Sequence, residues 1–305
     1  MSTFEHPKFG AVARTPDERF AGLPGWKYAP RYLDDLRGFE GLRMHYVDEG
    51  PRDARAVFLC LHGEPSWAYL YRKMLPVFTA AGHRVVAPDW FGFGRSDKPV
   101  RDESYTFAFH RRSLVALFER LALSNVCLVV QDWGGLLGLT LPKDEPAVTR
   151  LLVMNTAIGV GEPLSPGFAA WKEFVASQPD FAVGALMKRA TSVLTDAEAA
   201  AYDAPFPDAT YKAGVRRFPQ LVPIAPAMEG VADGRSARAF LRERWTGRSF
   251  MAIGAADPVL GPPVMNALRA EIRNCPEPLV VPEAGHFVQE WGEPIARAAL
   301  GKLGL

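Results

Sequence analysis

The stretch that most constrains the fold lies at residues 126–138. The apolar run Val126-Cys127-Leu128-Val129 leads into Val130-Gln131-Asp132-Trp133-Gly134-Gly135 and then into Leu136-Leu137-Gly138. A β-branched run, a sharp polar turn and a helix start built from small residues spell a strand-turn-helix elbow. In the G-x-S-x-G form of this elbow a serine stands at the tip. Here the tip is Asp132, and Val130 replaces the first glycine. A carboxylate attacks carbon directly, needs no base to activate it, and leaves an ester that water must then cleave. Burying a carboxylate at a tight turn is costly unless donors hold it, so a purely structural aspartate is disfavoured at this position.

The segments around the elbow set its context. Residues 42–48 alternate apolar and polar, and 56–61 are continuously apolar, which predicts an outer strand followed by a buried one. The buried strand ends in His62-Gly63-Glu64-Pro65. A helix over 67–78, a strand over 84–87, a turn-rich loop through Pro88 to Gly94, an amphipathic helix over 107–121 and a strand over 150–154 follow. Strand and helix alternating in this way predict a mostly parallel sheet flanked by helices, an α/β architecture. The rhythm then breaks. Residues 168–175, 183–189 and 196–202 read as helices among many prolines, with no strand candidate, so 156–226 is expected to be an inserted helical cap on a main domain of 1–155 and 227–305. Strands resume at 250–253 and 279–281, with helices at 264–272 and 293–303, while the Pro- and aromatic-rich 1–40 region reads as an ordered arm on the core.

Functional side chains in such sheets collect at the carboxyl ends of strands, and Glu64, Asp132, Asp257 and His286 all fall there. Asp132, Asp257 and His286 also follow the chain order nucleophile, acid, histidine found in α/β-hydrolases. His286 closes the last strand in a small-residue turn and can act as the base; Asp257 orients its imidazole, since Asn155-Thr156-Ala157 offers no rival acid. The backbone N–H groups of Glu64 and Trp133 are expected to hold the Asp132 carboxylate and later an oxyanion. Trp133 bears on what is attacked. Indole is a donor only, and a neutral donor beside the nucleophile suits a departing halide without quenching the carboxylate. On residues alone, Trp171 is either a second such indole or a core aromatic of the cap.

The stretches 62–67, 89–97, 129–135, 254–260 and 284–290 resemble haloalkane dehalogenases, in particular the branch typified by the 1,2-dichloroethane-degrading Xanthobacter enzyme, and the likeness runs from about residue 15 to the final helix. The resemblance implies an α/β-hydrolase fold with a helical cap, Asp132 as nucleophile, His286 as base, Asp257 as the triad acid, and Trp133 with Trp171 as halide-binding indoles. It places Phe168, Phe218, Pro219, Val222 and Leu260 on the pocket wall, with Leu136 where the typifying enzyme has phenylalanine. Many relatives carry asparagine at the Glu64 position as a halide ligand, whereas Glu64 donates only when protonated. The implied partners are a small halogenated alkane and a halide ion, with no metal or organic cofactor.

Two other readings fit parts of the pattern. An epoxide hydrolase uses the same elbow aspartate with tyrosine acids, for which Tyr202 and Tyr211 are available, and a non-catalytic ligand binder could reuse the cleft. Composition limits the rest. The 305 residues carry 35 basic and 34 acidic side chains, a formal net charge of +1, which gives no reason to expect nucleic acid or an anionic membrane as partner. No leader or membrane-spanning run is read, and Cys60, Cys127 and Cys275 are odd in number and far apart, so a cytoplasmic chain with free thiols is expected, a monomer rather than an oligomer.

Overall fold

The structure is a computed structural model that describes residues 3–163 and 165–305. Its centre is an eight-stranded sheet. In chain order the strands are β1 (Arg31–Leu33), β2 (Met44–Glu49), β3 (Val57–Leu61), β4 (Arg84–Pro88), β5 (Val126–Gln131), β6 (Val148–Met154), β7 (Arg248–Gly254) and β8 (Leu279–Val281). In space the order is β8-β7-β6-β5-β3-β4-β2-β1. Strands β3 to β8 pair in parallel, and β1 and β2 run antiparallel at one edge. Every residue of β3 and β5 is buried. Helices cover both faces of a parallel sheet, so its central strands have no solvent face and need none of the alternation seen at an edge.

Ten α-helices accompany the sheet among the described residues: α1 (Leu75–Ala80), α2 (Phe107–Arg120), α3 (Trp133–Gly138), α4 (Pro166–Ser177), α5 (Val183–Ala190), α6 (Asp196–Ala201), α7 (Ala213–Leu221), α8 (Val231–Glu243), α9 (Pro262–Ala270) and α10 (Gly292–Leu303). Local chemistry starts several of them. The Thr106 hydroxyl accepts from the Phe109 amide at the head of α2, Ser165 accepts from Phe168 at α4, and Thr195 with Glu198 forms a reciprocal capping box at α6. Helices α4 to α7 lie between β6 and β7 in the chain, where the strand rhythm breaks.

Several expectations shift. The continuous helix over 67–78 is instead a 3-10 turn at Ala68–Tyr71 followed by α1, which begins afresh around Pro76. Proline lacks the N–H that a helix interior needs but suits a first turn. Helix α7 escaped the sequence reading because Pro219, taken as punctuation, sits inside it. The arm contains strands that the sequence reading did not assign: Thr3–His6 and Gly10–Ala13 form a hairpin that pairs with Lys98–Pro99, and β1 joins the main sheet.

One buried ionic cluster ties the segment between β6 and β7 to the body. Arg72 meets Glu290 at 2.6 Å and Glu198 of α6 at 2.8 Å, and the Tyr202 hydroxyl donates to Glu290. The Arg72 and Glu290 side chains are 2% and 0% exposed. Removing one member of a buried pair strands the other charge, at a cost of about 3–5 kcal/mol. Lys73 Nζ also reaches Glu290 at 3.0 Å and remains as a partial counter-charge, so Arg72→Ala is expected to lower unfolding free energy by about 3 kcal/mol, the low end of that range, in denaturant titration, against about 0–1 kcal/mol for Arg37→Ala, whose partner Glu119 lies on the surface. Equal losses in the two variants would refute the role given to the cluster.

Candidate active site

The chain passes from β3 to β4 in one direction across the sheet and then returns to place β5 on the other side of β3. Ligands bind outside the carboxyl ends of strands at such a switch point. Leu61 of β3 pairs with Val130 of β5, so the residues just beyond them, Glu64 and Asp132, are brought together. The Glu64 N–H donates to Asp132 Oδ1 at 2.8 Å. Asp132 has φ 49° and ψ −122°, a conformation that lifts its side chain off the sheet edge. Such a turn brings backbone segments unusually close. A Cβ on Gly134 would lie 1.9 Å from the Leu61 carbonyl oxygen, and one on Gly135 would lie 2.0 Å from Thr156 Oγ1. The Thr156 hydroxyl donates to the Asp132 carbonyl at 2.7 Å, and the Asp132 amide donates to the Asn155 carbonyl at 3.0 Å. The Trp133 amide, expected as a second donor to the carboxylate, makes no hydrogen bond to it among the described residues.

His286, in the loop after β8, lies between two carboxylates. Its Nδ1 is 2.8 Å from Asp257 Oδ2, and its Nε2 is 3.6 Å from Asp132 Oδ2. The Asp257 side chain is fully buried and also accepts from the Val259 amide at 2.8 Å and from Asn155 Nδ2 at 2.9 Å. Burial opposes ionisation of Asp257, but the His286 charge and hydrogen bond and those two donors outweigh it, bringing its pKa down to about 2. Burial likewise opposes a charged imidazole. The field of Asp257 and the hydrogen bond and field of Asp132 overcome it, raising His286 to about 10.

These groups open onto a cavity of about 500 Å³. Its floor carries Glu64, Asp132 and His286, and most of its wall is apolar. Trp133 and Trp171 both line it, as do Leu136, Phe168, Pro219, Val222 and Leu260. Phe218 does not. It stacks behind Trp133 with ring centroids 4.2 Å apart and is fully buried. Successive residues on a helix point about 100° apart, so Pro219 faces the cavity while Phe218 backs its wall; the expectation that Phe218 lines the pocket is corrected accordingly. Glu64 is 5% exposed, and its Oε1 has no hydrogen-bond partner. Burial, reinforced by the charge on Asp132, pushes its carboxyl well above the usual carboxylate range, against the smaller opposing effects of His286 and Trp171.

Two residues that the sequence reading passed over belong to this arrangement. Asn155 was noted only as a non-acid, yet its Nδ2 donates to Asp257 and to the Gly254 carbonyl at 3.0 Å while its Oδ1 accepts from the Gly254 amide at 2.8 Å. It joins the ends of β6 and β7 to the elbow. Its place directly after a strand, beside the elbow's own strand, was the available signal. Gln131, adjacent to the elbow aspartate, approaches His286 Nε2 at 2.9 Å. No helix among the described residues is long and apolar enough to cross a membrane.

Known proteins resemble this arrangement along nearly its whole length. Residues 56–293 match the family described as the alpha/beta hydrolase fold. A haloalkane dehalogenase of Psychrobacter cryohalolentis is 44% identical over 294 residues, covering 94% of this chain and 96% of that one. Another, of Mycolicibacterium paratuberculosis, is 44% identical over 288 residues, covering 92% of this chain and 93% of its own. The solved structure of haloalkane dehalogenase DpaA from Paraglaciecola agarilytica NO2 superposes with a TM-score of 0.93 at 52% identity, covering 95% of this chain and 98% of that one. That structure is described as tetrameric, which overturns the expectation of a monomer. Composition and net charge carry no mark of self-association, because an interface as a whole is about as apolar as the rest of a protein's surface. The chain belongs to the haloalkane dehalogenase family of α/β hydrolases.

Proposed function

We propose that the protein hydrolyses haloalkanes to a primary alcohol, halide and a proton through a covalent ester on Asp132. The observation that carries this reading is the elbow itself: a carboxylate replaces serine at the tip and faces an apolar cavity that Trp133 and Trp171 also line. The main domain is taken as 1–155 with 227–305 and the cap as 156–226, a division supported by cavity walls drawn from α4 and α7 on one side and from strand-end loops on the other. The three unpaired cysteines support a reducing, cytoplasmic setting.

Asp132 Oδ1 is already engaged by the Glu64 amide, so Oδ2 is the oxygen free to displace halide from a primary carbon in line. The leaving ion departs toward the Trp133 and Trp171 indoles, whose N–H dipoles gain strength in a cavity that excludes water. Burial, which pushes the Glu64 carboxyl toward its neutral form, works against a second negative charge beside that ion. In the ester, Oδ1 becomes the carbonyl oxygen, still accepting from Glu64. Esterification also neutralises Asp132, which removes one of the two carboxylates that favour a charged His286. The imidazole pKa then falls, and His286, still oriented by Asp257, takes a proton from water as the water attacks the ester carbon. The oxyanion forms on Oδ1, beside the Glu64 and Trp133 amides. Its collapse releases the alcohol and restores Asp132 beside a recharged His286; the proton given up in each turnover is the one that His286 sheds to solvent once Asp132 is esterified and the imidazole pKa falls.

The epoxide alternative needs a tyrosine acid at the cavity. Tyr202 donates to Glu290 in the buried cluster, and neither Tyr202 nor Tyr211 lines the cavity. The protein is expected to release bromide from primary bromoalkanes and to form no diol from styrene oxide, with halide release abolished in Asp132→Ala. Diol formation without halide release would reverse the assignment.

His286→Gln is expected to slow ester hydrolysis by about 10²–10⁴-fold, the usual contribution of a general base, so that intact mass rises by one alkyl group after exposure to a bromoalkane. An unmodified mass after long exposure would end the two-step mechanism. The pH behaviour separates the steps. Ester hydrolysis needs neutral His286 and should fall about tenfold per pH unit below the imidazole pKa of the alkyl-enzyme, which lies below the free-enzyme value of about 10 because Asp132 no longer carries charge. Alkylation needs no neutral imidazole and should not follow that limb. Rapid-mix measurement of each step from pH 6 to 10 checks this, and a limb shared by both steps would contradict it.

A further inference from the structure

Gln131 is the last residue of β5 and fully buried. Its carboxamide Nε2 lies 2.9 Å from His286 Nε2 and 3.2 Å from the His286 carbonyl oxygen, and its Oε1 accepts from Gln289 Nε2 at 3.4 Å. We propose that Gln131 is a positioning residue for water activation: one of its N–H groups anchors on the His286 carbonyl while the other donates to His286 Nε2 and holds the imidazole as a neutral base. The inference rests on the roles proposed for Asp132 and His286.

The contacts fix which way the amide points. A backbone carbonyl only accepts, so the NH₂ end must face His286, and the same orientation leaves Oε1 facing the Gln289 donor. The flipped amide would set oxygen against oxygen at the His286 carbonyl, 3.2 Å away. With the NH₂ end held in this way, its second N–H points at His286 Nε2. That contact is a hydrogen bond only if Nε2 carries a lone pair, which is the neutral tautomer with its proton on Nδ1 toward Asp257. Protonating Nε2 would set two N–H groups against each other at 2.9 Å.

Gln131 therefore acts against the charges around the ring. Asp257 from the β7 loop and Asp132 from the elbow favour the imidazolium. Glu64 from the β3 loop is the third acidic group on the cavity floor, and Arg189 and Glu283 stand on the wall. In the free enzyme the two aspartates pull the ring toward its charged form and the Gln131 amide pulls against them. After alkylation one of them is gone, and a neutral donor at Nε2 then carries more weight in the balance. The amide can also yield the lone pair to an incoming water without leaving its place, because its other N–H remains on the carbonyl.

The test follows decay of the alkyl-enzyme formed from 1-bromobutane, by rapid mixing and intact mass from pH 6 to 10, in the wild type, Gln131→Met and Gln131→Leu. Both substitutions remove the donor with different packing shapes. The acid-limb midpoint is expected to rise by about one pH unit in each. Decay slowed equally at every pH, with the midpoint unmoved, would show that Gln131 only fills space and would overturn the inference. In the wild type, the Gln131 side-chain amide proton resonance should move as His286 titrates; a resonance that stays flat overturns it without relying on a variant that folds. Failure of the wild type to form any alkyl-enzyme is a separate result, which removes the proposed function itself.

Discussion

The structure depends on one held turn. Asp132 sits at φ 49°, ψ −122°, a region that costs about 1–3 kcal/mol for a residue with a side chain. It persists because its surroundings leave no other solution. Its amide and carbonyl are both engaged, by Asn155 and Thr156, and its side chain by the Glu64 amide. The glycines at 134 and 135 let β3 and Thr156 come close enough to make those contacts. The strain is thus offset by bonds from β3, β6 and the start of α3, and the tip carboxylate is fixed above the switch point of the sheet.

The same closeness governs the electrostatics. Two carboxylates favour the charged form of His286 against its burial, and a charged imidazole is no base. In the proposed mechanism covalent chemistry at Asp132 removes this obstacle: the ester that must be hydrolysed is the event that discharges one neighbour of the base. Asp257 cannot play this part, because it is engaged by Asn155 and the Val259 amide as well as by His286 and stays ionised throughout. One carboxylate is a fixed counter-charge and the other is consumed in each cycle. The difference arises from how many donors each one meets.

The sheet, the elbow and the chain order of Asp132, Asp257 and His286 were legible in the sequence because each rests on local pattern: apolar runs, a turn flanked by glycines, a charged residue just past a strand. What was not legible depends on distant partners. Asn155 reads as a neutral loop residue until β7 brings Asp257 to its amide. Gln131 reads as a strand end until the loop after β8 folds over it. The resemblance put both Phe218 and Pro219 on the pocket wall, although a helix sends sequence neighbours to different faces. Pro219 hid α7 for a related reason, since a proline tolerated near the end of a helix looks the same in sequence as one that stops it. Glu64 was read as an acid that donates only when protonated, and only its burial beside Asp132 shows the carboxyl pushed toward its neutral form.

In the proposed reaction a departing anion forms next to a required anion, and the cavity floor meets this with no lysine or arginine, the imidazole of His286 being held between Asp132 and Asp257. A lysine or arginine there would stabilise the halide, but it would pair with Asp132 first and hold the nucleophile in the ground state. Indole N–H groups are weak donors in water and stronger where water is excluded, and they offer nothing comparable to an ion pair. Arg189 lines the same cavity from α5, but its side chain is exposed to solvent. On the proposed mechanism the floor stabilises the leaving charge with indole dipoles rather than with a lysine or arginine, and the apolar wall that gives those dipoles their strength also admits an uncharged substrate.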